Sequence, residues 1–274
     1  MSMDRPLVFA TLLSPNAYPV YQAAVAKMSR HTGLNIDLVK GNSYSAFFSG
    51  SFDGIFVCGL PYILMTRNAE PPMELLAAPV LRGQRYGDRP VYFSDVIVRR
   101  DSAFQTFRDL KGGSWAFNER LSHSGYGVVR HHLVSIGETA GFFGKVIEAG
   151  FHLNSIEMVT NGQVDGAAID TQVLEIEFAS RPELRTRLRV IEALGPSSIQ
   201  PVLVSRKLPE PLRAKLREAI LSLHDDPEAG PPLERAGVSR FERIEDSSYD
   251  DLRRMLAAVE EAGMEHLGGP PSKR

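Results

Sequence analysis

Asp109-Leu110-Lys111-Gly112-Gly113-Ser114-Trp115-Ala116-Phe117-Asn118-Glu119-Arg120-Leu121-Ser122-His123-Ser124-Gly125-Tyr126 is the stretch from which the rest of the chain is read. The Gly pair marks a tight turn, Ser114 to Phe117 a short strand, and the serines the start of a helix. The first N–H groups of a helix have no carbonyl behind them, and the positive end of the macrodipole lies there too. Such a start can hold a small oxyanion. A serine there also reads as an ordinary helix cap, and the two roles are compatible.

Working outward, strand-like and helix-like segments alternate. Leu7 to Leu13 is a compact apolar run, Pro19 to His31 has apolar residues at helical spacing, and Leu34 to Val39 alternates like a strand. Ser43 to Ser49 reads as a short helix, Asp53 to Cys58 as a buried strand, and Pro61 to Arg67 as a helix. Leu75 to Leu81 and Pro90 to Arg99 are longer strands. After Ser114 to Phe117, a helix from about Ser124 to Ile136 is expected, then the strand Lys145 to Ile147 and a helix from Leu153 to Asn161. Val164 to Ile169, Leu188 to Ala193 and Gln200 to Ser205 read as strands, with a helix ending at Ser180 after the first. Helices over Pro209 to Leu223 and Ser248 to Ala262 close the chain, and the tail from Gly268 is expected to be disordered.

The order β-α-β predicts an α/β protein with helices on both sheet faces. Gly50-Ser51-Phe52-Asp53-Gly54 and Gly162-Gln163-Val164-Asp165-Gly166 echo each other, each ending a helix and turning into a buried strand. Two similar halves with a cleft between them follow from that echo, with ligand loops at the carboxyl ends of strands.

Bulk properties narrow the function. The chain has 274 residues, 43% hydrophobic and 23% charged, with a net charge of −2. That charge argues against a nucleic-acid partner. The single cysteine, Cys58, excludes an internal disulfide and lies in an apolar run, so a buried strand residue is expected rather than a nucleophile. No apolar run approaches the ~20 residues that span a bilayer, so no membrane insertion is expected. The first residues carry no secretory h-region, which leaves a cytoplasmic protein or one whose signal was removed. His131-His132 does not chelate well, because neighbours on a helix point about 100° apart. No nucleophile motif, P-loop, dinucleotide fingerprint or metal cluster is found, so no cofactor and no metal are expected.

The chain resembles the phosphate, phosphite and phosphonate substrate-binding proteins of ABC importers. The phrases that carry the likeness are Asp53 to Tyr62, Tyr92 to Ser102, Asp109 to Gly113, Ser122-His123-Ser124-Gly125-Tyr126, Phe142-Phe143 with Gly150-Phe151-His152, and Asn161 to Ala167. The resemblance implies a type II periplasmic-binding-protein fold, two lobes each with a mixed sheet flanked by helices. Lobe 1 would comprise residues 1–95 and 200–274 and lobe 2 residues 96–199. Hinge strands at Pro90 to Arg99 and Gln200 to Ser205 would join them. It implies that Ser122, Ser124 and His152 meet the oxygens of a small phosphorus oxyanion, that Tyr92 and Tyr44 line the pocket, and that an ABC permease is the partner of a monomer or weak dimer.

His123 stands where the family has Thr, Phe151 where it has Ser, and Gln172 and Gln200 where acidic residues often stand. A ligand bearing an amine is therefore not implied. Asp170, at a strand's carboxyl end, is a candidate ligand residue or a helix cap. Were His123 and His152 both to face one anion, the bound ligand should raise their pKa values, and affinity should weaken above about pH 7. The alternative is a cytoplasmic enzyme or sensor for a small organic acid on the same fold, with His123, His152 and Asp170 as acid/base groups.

Overall fold

The computed structural model describes residues 5–41, 43–67 and 70–268. The chain forms two compact units. One runs to Val91 and resumes over Ser198–Tyr249; the other is Tyr92–Ser197 with the chain from Asp250 on.

The first unit opens with β1 (Leu7–Thr11), α1 (Tyr18–Thr32), β2 (Ile36–Lys40), α2 (Tyr44–Phe48), β3 (Gly54–Phe56), α3 (Gly59–Met65) and β4 (Met73–Leu81). The second carries β5 (Val91–Arg99), β6 (Ser114–Phe117), a single π-helical turn over His123–Gly127, α4 (Val128–Ser135), β7 (Lys145–Glu148), α5 (His152–Thr160), β8 (Gly166–Asp170), α6 (Thr171–Ser180), α7 (Leu184–Arg187) and β9 (Leu188–Ser198). The chain then returns to the first unit with β10 (Val202–Ser205), α8 (Glu210–Leu221), α9 (Gly230–Arg235) and β11 (Val238–Glu242), and ends with α10 (Asp250–Glu261) in the second.

Among the described residues each unit has one mixed sheet, in the order β11-β4-β10-β3-β1-β2 and β7-β6-β8-β5-β9. β1 runs parallel to β2 and β3, and β6 parallel to β7 and β8, while β10 and β5 add antiparallel to those cores. In the second sheet both faces are buried, so the two-residue period sorts side chains between two cores. Val96, Val98, Trp115, Phe117 and Ala168 enter one core, with Phe107, Phe142, Phe143 and the α4 residues Val129 and Leu133. Ile97, Ala116, Ala167 and Ile169 enter the other, with Ile156 and Val159 of α5 and Leu174 of α6. Trp115 stacks on Phe143 at a centroid distance of 4.5 Å.

The internal echo has one structural cause. Gly50 and Gly162 sit at positive φ (65° and 69°) just beyond α2 and α5. The aspartate three residues on then clamps the neighbouring parallel strand. Asp53 donates its backbone N–H to the Val8 carbonyl at 2.8 Å, and its carboxylate accepts from the Val8 N–H at 2.8 Å. Asp165 does the same to Ser114, at 3.0 and 2.7 Å.

Several sequence expectations need amendment. The chain crosses between units near 91/92 and 197/198, so β10 lies wholly inside the first sheet and the end of β9 makes the second crossing. A third crossing at 249/250 places the C-terminal helix in the second unit rather than the first. The reason is apolar burial: Val259 of that helix, and Met264 and Leu267 just beyond its end, join the core beside Val129 and Leu133. Cys58 is buried but lies past the end of β3, at the residue before α3. β11 and α9 were not expected from sequence: β11 is a short polar edge strand on β4, and α9 has prolines at its start. Of the tail expected to be disordered, 269–274 lies outside the described residues.

Candidate functional site: an oxyanion cradle at the ends of β6 and β7

The parallel pair β6–β7 continues beyond its strands. Ala149 N–H donates to the Phe117 carbonyl at 2.7 Å and Gly150 N–H to the Asn118 carbonyl at 2.8 Å. The two βα loops are thereby laid side by side. Gly150 then turns at φ 84°, a left-handed conformation that a side chain would strain, and α5 starts at His152.

On the β6 side, Ser122 caps the π turn. Its Oγ accepts from the Gly125 N–H at 3.1 Å, and its carbonyl accepts from the Gly127 N–H at 3.0 Å. The wider loop of a π turn appears often at functional sites. Ser122 Oγ lies 3.3 Å from Ser124 Oγ, and Ser124 Oγ lies 2.8 Å from Nε2 of His152. Ser122, Ser124 and His152 are 3%, 2% and 6% exposed. The structure therefore brings together the three residues expected to meet one oxyanion.

His123 sits in the same turn but its Nε2 lies 3.0 Å from Ser197 Oγ, at the end of β9. Burial pushes the pKa of His123 down to about 3, helped by the nearby charges of His131 and Arg130. Burial alone does the same to His152, also to about 3. Both rings are neutral at physiological pH. The weakening expected above pH 7 therefore requires the bound anion to raise both values steeply from there. Arg130, on the first turn of α4, is the nearby cation; it stacks 4.4 Å from the Tyr126 ring centroid.

Gly125 has no room for a side chain. A Cβ built there would lie 2.0 Å from Asn118 Oδ1 and 3.3 Å from Cε1 of His152. Asn118 is the residue that sequence reading passed over. Its signal was position, one residue beyond β6, where the strand's carboxyl end faces the helix start.

The remaining candidates are placed as follows. Asp170 caps α6, its Oδ1 accepting from the N–H groups of Gln172 at 2.8 Å and Val173 at 3.4 Å. Tyr92 is 1% exposed on β5, and Tyr44 opens α2 in the first unit, partly buried. Among the described residues no cluster of His, Cys, Asp or Glu could hold a metal ion, and no helix is long and apolar enough to cross a membrane.

Residues 8–249 match the family model described as ABC transporter, phosphonate, periplasmic substrate-binding protein. The phosphonates-binding periplasmic protein of Escherichia coli K12 is 26% identical over 185 residues, 66% of this chain and 54% of that one. The alignment thus spans about half the length of that curated relative. Among solved structures, a binding component of a Pseudomonas aeruginosa phosphonate ABC transporter superposes with a TM-score of 0.82 at 20% identity, covering 95% of this chain and 88% of the other. A Prochlorococcus marinus protein solved with methylphosphonate gives 0.81 at 16% identity, covering 93% and 98%. The fold is that of the type II periplasmic binding proteins.

Proposed function

Because the chain belongs to the family of phosphonate periplasmic substrate-binding proteins of ABC transporters, we propose that it captures a small phosphorus oxyanion on the Ser122–Ser124 helix start and delivers it to an ABC permease. The observation that carries this reading is the contiguous set Ser122 Oγ, Ser124 Oγ and His152 Nε2, linked at 3.3 and 2.8 Å and buried at the ends of two parallel strands. A tetrahedral anion accepts hydrogen bonds from several directions at once, and charge-assisted bonds are roughly twice as strong as neutral ones. The first-turn amides add donors of fixed direction.

Family membership sets aside the enzyme alternative, since the family consists of substrate-binding transport proteins. His123 and His152, the acid/base candidates of that alternative, are neutral rings with hydroxyl partners.

The ligand class is narrowed by charge. Gln172 follows Asp170 in the first turn of α6, and Asp170 is engaged in capping. A neutral amide at 172 offers no counter-charge to an ammonium group. Alkylphosphonate, phosphite or phosphate therefore suits the chain better than an aminoalkylphosphonate. The ligand-bearing protein works in the periplasm, and Tyr92 and Tyr44 are proposed as its further pocket residues. A thermal-shift panel of methylphosphonate, phosphite, phosphate, 2-aminoethylphosphonate and sulfate tests the reading. Stabilisation by at least one of the first three, stronger than by the amine, is expected. No response to any phosphorus oxyanion contradicts it.

A further inference from the structure

Arg130 carries a charge with no ion-pair partner among the described residues. Its Nη1 donates to the Met264 carbonyl at 3.4 Å, and its Nε is buried without a hydrogen bond. Burial holds its pKa below the usual arginine value; Glu260 attracts it only from a distance, and Arg120 repels it. A half-buried charge gives up part of its hydration, and an opposite charge nearby offsets that loss.

Helix geometry decides where this charge stands. Arg130 lies in the first turn of α4, directly after the His123–Gly127 turn. Side chains on a helix lean toward its start and cover the residue four positions back. That residue is Tyr126, and the guanidinium carbon lies 4.4 Å from its ring centroid. The charge is thus carried back over a member of the turn itself. His123, the first residue of the turn, registers it, since Arg130 is one of the charges that keep that ring neutral. Ser122 and Ser124 stand on either side of His123, so the field of Arg130 reaches the segment that carries both hydroxyls.

We propose that Arg130 is the counter-charge of the oxyanion site: it attracts the ligand through space and makes the site favour dianions over monoanions.

The inference rests on the oxyanion reading of the Ser122–Ser124 turn and adds what that turn lacks. Ser122, Ser124 and His152 offer dipoles, and neither His123 nor His152 is charged near pH 7 before an anion binds. Dipoles fix the geometry of an anion, whereas a full charge sets how strongly the site separates one negative charge from two. Coulomb energy is proportional to the charge on the ligand, so the contribution of Arg130 to log affinity doubles from monoanion to dianion. Glu260 is exposed, and salt screens its opposing effect.

Calorimetry with methylphosphonate at about pH 5.5, where the ligand is a monoanion, and about pH 8.5, where it is a dianion, tests this. The ratio of variant to wild-type Kd at each pH removes the other effects of pH. Arg130→Met, which keeps an unbranched apolar stem against Tyr126, is expected to weaken binding about threefold for the monoanion and about tenfold for the dianion. Its affinity should also depend less steeply on sodium chloride than that of wild type. Arg130→Lys, which keeps the charge, should stay within about twofold of wild type. Without ligand, Arg130→Met should unfold at the wild-type urea midpoint or above it, because a half-buried unpaired charge has been removed. Unchanged affinity in Arg130→Met overturns the proposal. So does an equal loss at both pH values, or a loss that Arg130→Lys shares. Should no phosphorus oxyanion bind the wild type, sulfate and malonate take its place. Arg130-dependent, salt-sensitive binding of either keeps the counter-charge and removes the phosphorus reading, and binding of no anion overturns both.

Discussion

The Ser124 hydroxyl lies 2.8 Å from Nε2 of His152. One hydrogen bond thus joins the starts of helices belonging to two successive βα units. The backbone bonds from Ala149 and Gly150 to Phe117 and Asn118 make this contact possible, because they keep the two loops in register past the strand ends.

Removing the Ser124 hydroxyl takes away a ligand donor and the partner of His152 together. A hydrogen bond to a charged group contributes about 1.5–3 kcal/mol. Ser124→Ala is therefore expected to weaken methylphosphonate binding by roughly 10- to 100-fold, read by calorimetry. Ser124→Ala and His152→Gln combined should lose less than the sum of the two single effects, because the residues share one bond.

Gly125→Ala places a methyl group 2.0 Å from Asn118 Oδ1. The buried Asn118 side chain, the π turn or the end of β6 must move. Overpacking of this kind typically costs about 1–3 kcal/mol, so a lowered urea midpoint is expected together with loss of oxyanion binding. Normal stability with normal affinity would show that the turn yields freely.

Acid should destabilise the second unit through its buried histidines. Above pH 6.5 His123 and His152 are neutral whether the chain is folded or not. Between there and about pH 3 the unfolded chain binds protons that the folded chain refuses, so stability falls as pH falls. From pH 7 to 5 the two together should remove on the order of 2–4 kcal/mol. Urea titrations at the two pH values check this, and His123→Gln with His152→Gln should flatten the difference. Oxyanion affinity, by contrast, should show no histidine titration between pH 6 and 8.5 once the ligand's own ionisation is subtracted.

Ser197→Ala removes the hydroxyl that lies 3.0 Å from the buried His123 Nε2. A hydrogen bond of this kind contributes about 0.5–1.5 kcal/mol net, and a matching fall in unfolding free energy is expected. Ser197→Thr, which keeps the hydroxyl, should recover most of it.

The C-terminal segment should matter to the second unit alone. Ending the chain after Glu261 removes Met264 and Leu267, which are 2% and 1% exposed, and the Glu265 carbonyl that accepts from the Tyr126 hydroxyl at 2.9 Å. Loss of two buried side chains of this size costs several kcal/mol, on the order of 2–5 each for truncation to a small residue. Hydrogen exchange should quicken in α4 and β6 and stay unchanged in β1 and β3.

Much of the fold was legible because buried α/β segments announce themselves. Ser114 to Phe117 has the same bounds as a strand in both readings, and the Asp-Gly echo at 53 and 165 marks the same strand clamp in each unit. β11 was not legible: Val238-Ser239-Arg240-Phe241-Glu242 has only two buried apolar residues, and its pairing partner β4 is distant in sequence. The placement of α10 was hidden for a related reason. An amphipathic helix shows that it has an apolar face but not which core receives it. At the site, Ser122 and Ser124 were legible from the helix start and His152 from a family phrase, whereas Ser197 is an ordinary polar residue whose meaning appears only when the His123 ring nitrogen is beside it. The neutrality of the histidines depends on burial, which no local sequence pattern displays.

A crystal structure of the protein with methylphosphonate tests the central claim most directly. Phosphonate oxygens within hydrogen-bond distance of Ser122 Oγ, Ser124 Oγ and His152 Nε2 are predicted. Phosphorus density away from the His123–Gly127 turn, with the Ser124–His152 pair untouched, would contradict it.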